Sequence, residues 1–293
     1  MRSLMWQRFS RRRSAVAGLI LFVLLVLFAL FGGFLTHYNY TDSDFLAIGF
    51  PPSRGHWFGT NDAGNDLYAQ VVHGLQRSLI IALAVAVGTT LIAAVAGSLA
   101  AFFGGWVEKT VLGVIYLLLV VPSFLILALT ANATGGDWRW IIVALIVFGW
   151  MMLARVVHSM AVSLREREFV IAARYMGERP FTIIARHIIP NLSSLLVINF
   201  ALGVVGTVLT ETGLSFLGLG VKIPDVSLGS LLQAGVGTIV ASPWLFYFPA
   251  GVLTLLTVSM TLMADGLRDA LDPNAANPTV AEPARAADAG GVA

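Results

Sequence analysis

The stretch GGWVEKT, Gly104 to Thr110, is the nearest this 293-residue chain comes to a phosphate-cradling loop. It fails, because G-x-x-x-x-G-K-[ST] requires glycine where Glu108 stands, and the backbone could not then close on a phosphate. No other segment competes, so any nucleotide hydrolysis belongs to another chain. There are no cysteines, hence no disulfide, no thiolate metal site and no cysteine nucleophile. His158 and His187 each lack a second ligand at metal spacing, and His56 and His73 are too sparsely accompanied for a nickel or zinc site. No Ser-His-Asp set or carboxylate pair stands out. The chain is not expected to catalyse bond chemistry or to bind a cofactor or metal.

Two acidic features remain. Glu211 falls at the end of an apolar run, where a carboxyl group is costly and normally faces a cavity or a partner. It either lines a transport path or caps the turn at Gly213. Asp265, Arg268, Asp269 and Asp272 cluster after the last apolar run, and the spacing of Arg268 from Asp265 and Asp272 predicts local pairing on one helix surface.

A charged island flanked by long apolar runs lies in REREFVIAARYMGERPFTIIARHIIPN, Arg165 to Asn191. Ser163 and Glu166 fit the S-x-x-E capping box, which predicts a helix starting there. Phe169, Ala172, Ala173 and Met176 recur at i, i+3, i+4 and i+7, one helical face. Gly177 is a natural stop, and Pro180 suits the first position of a second short helix that ends by Pro190. The pattern admits a basic loop, a helix lying on a membrane surface, or a docking helix. Small residues at its centre permit close approach, and Phe169 and Met176 suit a groove on a soluble partner.

These features sit in a chain that is 57% hydrophobic and 12% charged, with mean hydropathy +0.83. Soluble domains average roughly 25% charged residues, so the composition predicts a membrane protein. A spanning helix needs about 20 apolar residues. Six stretches qualify: Ser14–Leu35, Ser78–Phe103, Thr110–Ala131, Trp140–Ala154 continuing toward Ala161, Leu192–Leu209, and Pro243–Ala264. Pro122 and Pro249 mark expected kinks. The first stretch follows five arginines like a signal peptide, but its apolar run is too long and its end a poor cleavage site, so it reads as a retained helix. With the N-terminus inside, 14 Lys and Arg fall on the cytoplasmic side and four outside, which predicts cytoplasmic termini and a cytoplasmic island. The organisation is then a basic N-terminus (1–13), a first span (14–35), an outer loop (36–77), a core membrane domain (78–272) carrying the charged loop 161–191, and a disordered tail (273–293). Gly213–Ser242 is too interrupted to span and suits a re-entrant or surface-lying element.

The island also resembles a known pattern. Ala172, Ala173, Gly177 and Pro190 match the EAA loop of ABC importer permeases, E-A-A-x-x-x-G, nine residues, then I-x-L-P. Ile189 stands at the Leu position, Ile171 at the Glu position and His187 at the Ile position. In the peptide-permease branch the acidic residue falls earlier in the helix, here Glu168. HWFGTNDAGNDLYAQVVHGLQRSL (His56–Leu79), ETGLSFLGLGVKIPDVSLGSLL (Glu211–Leu232) and DGLRDALDP (Asp265–Pro273) resemble signatures of the dipeptide, oligopeptide and nickel C-type permeases, most nearly the oligopeptide members. Asn65 stands where an arginine is usual and Ile223 where a proline is, which places any salt bridge of that arginine in doubt.

The resemblance implies an all-α fold of six transmembrane helices, the type I ABC importer permease fold, in a bacterial plasma membrane. It implies a homologous permease partner, ABC ATPase subunits (separate or fused) that use ATP and Mg, and an extracytoplasmic peptide-binding protein. No nucleic-acid partner is expected. The ATPase contact would fall on Glu168, Phe169, Ala172, Ala173, Arg174, Met176 and Gly177, with Glu211 as a candidate pathway residue. The rival classes are a secondary transporter or channel, which would need ionisable groups within the spans, and a membrane scaffold without transport.

Overall fold

The computed structural model describes Gln7 and residues 9–271. Within hydrocarbon every backbone N–H and C=O must find its partner in the chain, so long apolar runs fold as helices. They are α1 (Arg13–Phe31, extended by a 3-10 turn, Gly32–Leu35), α2 (Leu67–Phe103), α3 (Gly105–Val120), α4 (Ser123–Ala133), α5 (Trp138–Gly149) and α6 (Met151–Arg165). Then come α7 (Glu168–Tyr175), α8 (Pro180–Ile183), α9 (Ser193–Phe216), α10 (Leu228–Val236) and α11 (Trp244–Leu271). Among the described residues there are only two isolated β-bridges, Ser43 with Asn65 and Thr60 with Asp66. Five helical stretches are long and apolar enough to cross a membrane, and six if the bent pair α3 and α4 counts as one span.

The two prolines behave differently. Pro122 forces Val121 into an extended conformation, and α3 and α4 meet at 74°. Pro249 lies buried inside α11, which continues through it. The carbonyl it leaves unbonded is that of Leu245, one helical turn back, which is approached by Gly235 of α10.

Two boundaries depart from expectation. α2 starts at Leu67 rather than Ser78, because Asp66 caps it, accepting from the Ala69 N–H at 2.8 Å. Gln70, His73, Gln76 and Arg77 conceal that first stretch from a hydropathy reading. No helix starts at Ser163. α6 runs through it to Arg165, and the Ser163 hydroxyl donates back to the Met160 carbonyl at 2.8 Å. The second short helix, α8, ends at Ile183, before Pro190 as expected, but the coil is not interrupted there. A π turn (Ile184–Ile188) and a 3-10 turn (Ile189–Leu192) absorb the proline and carry the chain into α9.

The main core joins α1, α2, α9, α10 and α11 around Leu75, Val204, Leu228 and Leu256. A second cluster at the other end of α2 gathers Phe102, Val157, Val170, Ile183 and Ile188. α1 lies along α11, where Gly18 leaves no room for a Cβ beside Leu262 and the Ser259 carbonyl. The acidic cluster at the end of α11 pairs differently from expectation. Asp269 makes its ion pair with Arg12, at the start of α1, and Arg268 makes none with Asp265 among the described residues. Asp272 lies outside the described residues, as does the tail.

Candidate functional site

The charged island forms a platform at one end of the bundle. α7 is seated by Val170 and Ala173, both essentially inaccessible, against Ala101, Phe102, Val157 and Ala161 at the ends of α2 and α6. Its stop is built as the sequence predicts. Gly177 takes φ +76, its N–H bonds the Arg174 carbonyl at 3.1 Å, and the Glu178 N–H reaches the Ala173 carbonyl at 3.1 Å. This is the paired closure that a left-handed glycine permits. Pro180 then opens α8, and His187 meets Glu178 at 2.9 Å, bracing the turn from below.

The expected stripe splits between two faces. Ala173 turns inward with Val170, while Phe169, Ala172 and Met176 point out, as do Glu168 and Arg174. Met176 is 80% exposed. Arg174 lies over the Phe102 ring at 4.9 Å, which orients α7 across the end of α2. Sequence reasoning missed two members of the outward face, Tyr175 at 89% and Phe181 at 68% exposure. The i, i+3 spacing of Val170 and Ala173 carried the signal for the buried side. An exposed patch of large apolar side chains on a rigidly seated helix is what a docking surface requires.

The opposite end holds a cleft of about 930 Å³. The outer loop frames one side. His56, buried, meets Asp66 at 2.9 Å, and Gly59 and Gly64 take positive φ where Phe50, Trp244 and the Asp44 backbone leave no space for a Cβ. Asn65 replaces the family arginine by donating to the carbonyls of Thr41 and Asp42 and to the Ser43 hydroxyl, at 3.1–3.2 Å. At position 65 the loop is thus closed by neutral hydrogen bonds. Ile223, the other departure, lies exposed on the rim.

The far wall is α10 and the segment leading to it. Asp225 accepts from Arg77 Nε at 2.8 Å and meets His73 at 2.6 Å; Tyr40 stacks on His73, and Arg77 lies over Trp138. Burial opposes ionisation of Asp225, but the hydrogen bonds and charge of Arg77 and His73 outweigh it and lower its pKa. Glu211 is 1% exposed, and its Oε1 accepts from Ser215 at 2.7 Å and from Ser227 at 2.6 Å. It faces the start of α10 and not the open cleft, and its bonds go past Gly213 rather than to it. α10 is itself too short to span, in keeping with a re-entrant or surface-lying element.

Comparison with known proteins agrees with this architecture. Residues 90–277 match the family model described as binding-protein-dependent transport system inner membrane component, and residues 1–52 match the N-terminal transmembrane domain of oligopeptide transport permease C. The oligopeptide transport system permease protein OppC of Mycobacterium tuberculosis (strain H37Rv) is 47% identical over 93% of this chain and 94% of its own. OppC of Bacillus subtilis is 34% identical over 91% of this chain and 87% of its own, and the dipeptide transport system permease protein DppC of the same organism 32% over 92% and 84%. Family model, relatives and a bundle of long apolar helices lead to one conclusion: the chain belongs to the binding-protein-dependent transport system inner membrane components, a family of multi-pass inner-membrane permeases.

Proposed function

We propose that this chain is the membrane subunit of an ATP-driven importer of oligopeptides or dipeptides, forming half of the translocation path beside a homologous permease. The names of its relatives support the peptide class, and the lack of a phosphate loop in the sequence supports a reading in which partner ATPase subunits use ATP and Mg. The distribution of Lys and Arg supports cytoplasmic termini, which puts the α7 platform on the ATPase side and the cleft on the side of an extracytoplasmic peptide-binding protein.

The observation that carries the reading is the division of labour in α7. Val170 and Ala173 fix the helix to α2 and α6, and Phe169, Tyr175, Met176 and Phe181 remain exposed beside Glu168. A helix anchored on one face and bare on the other transmits displacement as a rigid body. ATP-driven closure of the ATPase subunits would move α7, and through it the ends of α2 and α6, so that access switches from one side to the other.

Reconstitution tests this. The complete complex in proteoliposomes takes up peptide with ATP and binding protein, and this chain alone takes up none. Peptide uptake by the chain alone would falsify the reading. Gly177→Trp in the complete complex lowers binding-protein-stimulated ATP hydrolysis, and full stimulation would remove the coupling role from α7.

A further inference from the structure

The start of α10 is tied to its neighbours by a knot of polar groups beside Leu228, which lies in the main core. Ser227 caps the helix, accepting from the Ser230 N–H at 3.2 Å, and its hydroxyl proton goes to Glu211 on α9. Ser215, one turn beyond Glu211, donates to the same carboxylate oxygen. The Leu228 N–H donates to Ser78 of α2 at 3.2 Å. Backbones approach closely around this knot, since a Cβ on Gly229 would meet Thr212 Cα at 2.7 Å, and one on Gly220 would collide with Ser215. The other face of α10 presents Ser230, Leu231, Gln233 and Ala234 to the cleft.

Two features distinguish this contact from ordinary core packing. One oxygen of Glu211 takes both bonds, while the other, Oε2, is buried with no partner. The carboxylate therefore holds acceptor capacity that the present arrangement does not use, as expected of a group that exchanges partners between two arrangements. The joined segment is also short and bounded by glycine, with Gly218 at positive φ on one side and Gly235 and Gly237 on the other. Such ends absorb the dihedral changes of a hinged element.

We propose that α10 is a hinged wall of the outer cleft, latched onto α9 by Glu211 through Ser215 and Ser227, and that the latch opens when access changes. Glu211 is then a positioning residue for transport and makes no contact with peptide. The proposal rests on the importer reading above.

The native chain lacks cysteine, and the Ser215 and Ser227 hydroxyls are 3.4 Å apart, so Ser215→Cys with Ser227→Cys places a disulfide across the latch. The complete complex carrying the pair is reconstituted, and uptake of a radiolabelled tripeptide is measured oxidised and reduced. The reduced thiols can still donate weakly to Glu211, so the comparison is made within the same variant: oxidation is expected to form the crosslink, verified by mass spectrometry, and to cut uptake at least tenfold below the reduced form, with return to the reduced level on reduction. A crosslinked complex that transports as fast as its reduced form overturns the proposal, as does failure of the crosslink to form. Glu211→Gln keeps an oxygen for both hydroxyls and is expected to retain at least half the uptake, whereas Glu211→Ala loses at least tenfold. Equal effects of Gln and Ala would overturn the positioning role. Failure of the importer reading looks different, because the unmodified complex would then show no ATP-dependent uptake.

Discussion

The Glu178 N–H bonds the Ala173 carbonyl at 3.1 Å, across a glycine at φ +76. That bond ends α7 and turns the chain toward α8, so it fixes where the exposed face of α7 points. A Cβ on Gly177 would meet nothing within 4 Å, so substitution there acts through backbone conformation alone. A left-handed conformation costs an ordinary residue about 1–2 kcal/mol. Gly177→Ala is therefore expected to lower stimulated ATP hydrolysis in the assembled complex, with Gly177→Asn retaining more, since asparagine tolerates that conformation better. Equal activity of Ala and Gly forms would show that the stop does not position the docking face.

The split between the faces of α7 predicts opposite phenotypes six residues apart, at Val170 and Met176. Val170 is fully buried, and its truncation to Ala removes about 1–2 kcal/mol of packing with a cavity below α7. Met176 is exposed, so Met176→Ser is expected to shift the stability of the isolated chain by less than about 0.5 kcal/mol while weakening ATPase binding. Thermal melting of the chain and co-purification of the ATPase subunits separate the two. Loss of melting temperature in Met176→Ser, or unchanged co-purification, would contradict the assignment.

The long helices were legible because one signal, sustained apolarity, suffices to mark them. The Gly177 stop and the Pro180 start were legible because each depends on backbone chemistry peculiar to its residue. The inward turn of Ala173 was not, since Ala172 and Ala173 differ only in which side meets α2 and α6, and that is decided by distant residues such as Phe102 and Val157. The same holds for Glu211. Its partner Ser227 lies on another element, and only the fold of residues 217–227 brings the two together. Arg12 and Asp269 show the limit most clearly. Local spacing favoured pairing within one helix, and the packing of α1 against α11 supplied a different partner.

Asp225 predicts a pH dependence confined to acid. Its pKa is lowered below the ordinary value of 3.8 on folding by Arg77 and His73, despite burial. A carboxyl group of this kind contributes stability that is fully present above 3.8 and is lost as the pH falls through its folded pKa. Asp225→Asn is expected to lower the melting temperature of the complex at pH 7, and the gap between mutant and parent should narrow as the pH is taken below 4. A gap that is constant from pH 7 to pH 3 would show that the ion-pair network contributes nothing to the fold.

Among the contacts between α1 and α11, two differ in kind, and their magnitudes decide which matters more. The Arg12–Asp269 pair has side chains 41% and 59% exposed; such pairs typically contribute less than about 1 kcal/mol and weaken with salt. At Gly18, by contrast, a Cβ would stand 2.7 Å from Leu262 Cβ and 2.9 Å from the Ser259 carbonyl. Neither is the end of a flexible side chain, so the helices must part to admit one. Close approach of small residues is the main source of helix association where the surrounding solvent is itself apolar. Asp269→Asn should therefore leave α1 docked at low and high salt, while Gly18→Leu should detach it. Cysteines at Ala15 and Ala270, which pack in one buried cluster and already carry a Cβ, report docking by capture with a short bifunctional thiol crosslinker. Crosslinking is expected to survive Asp269→Asn and to fall severalfold with Gly18→Leu. The reverse order would mean that the ion pair, and not the small-residue seam, fastens the first helix to the last.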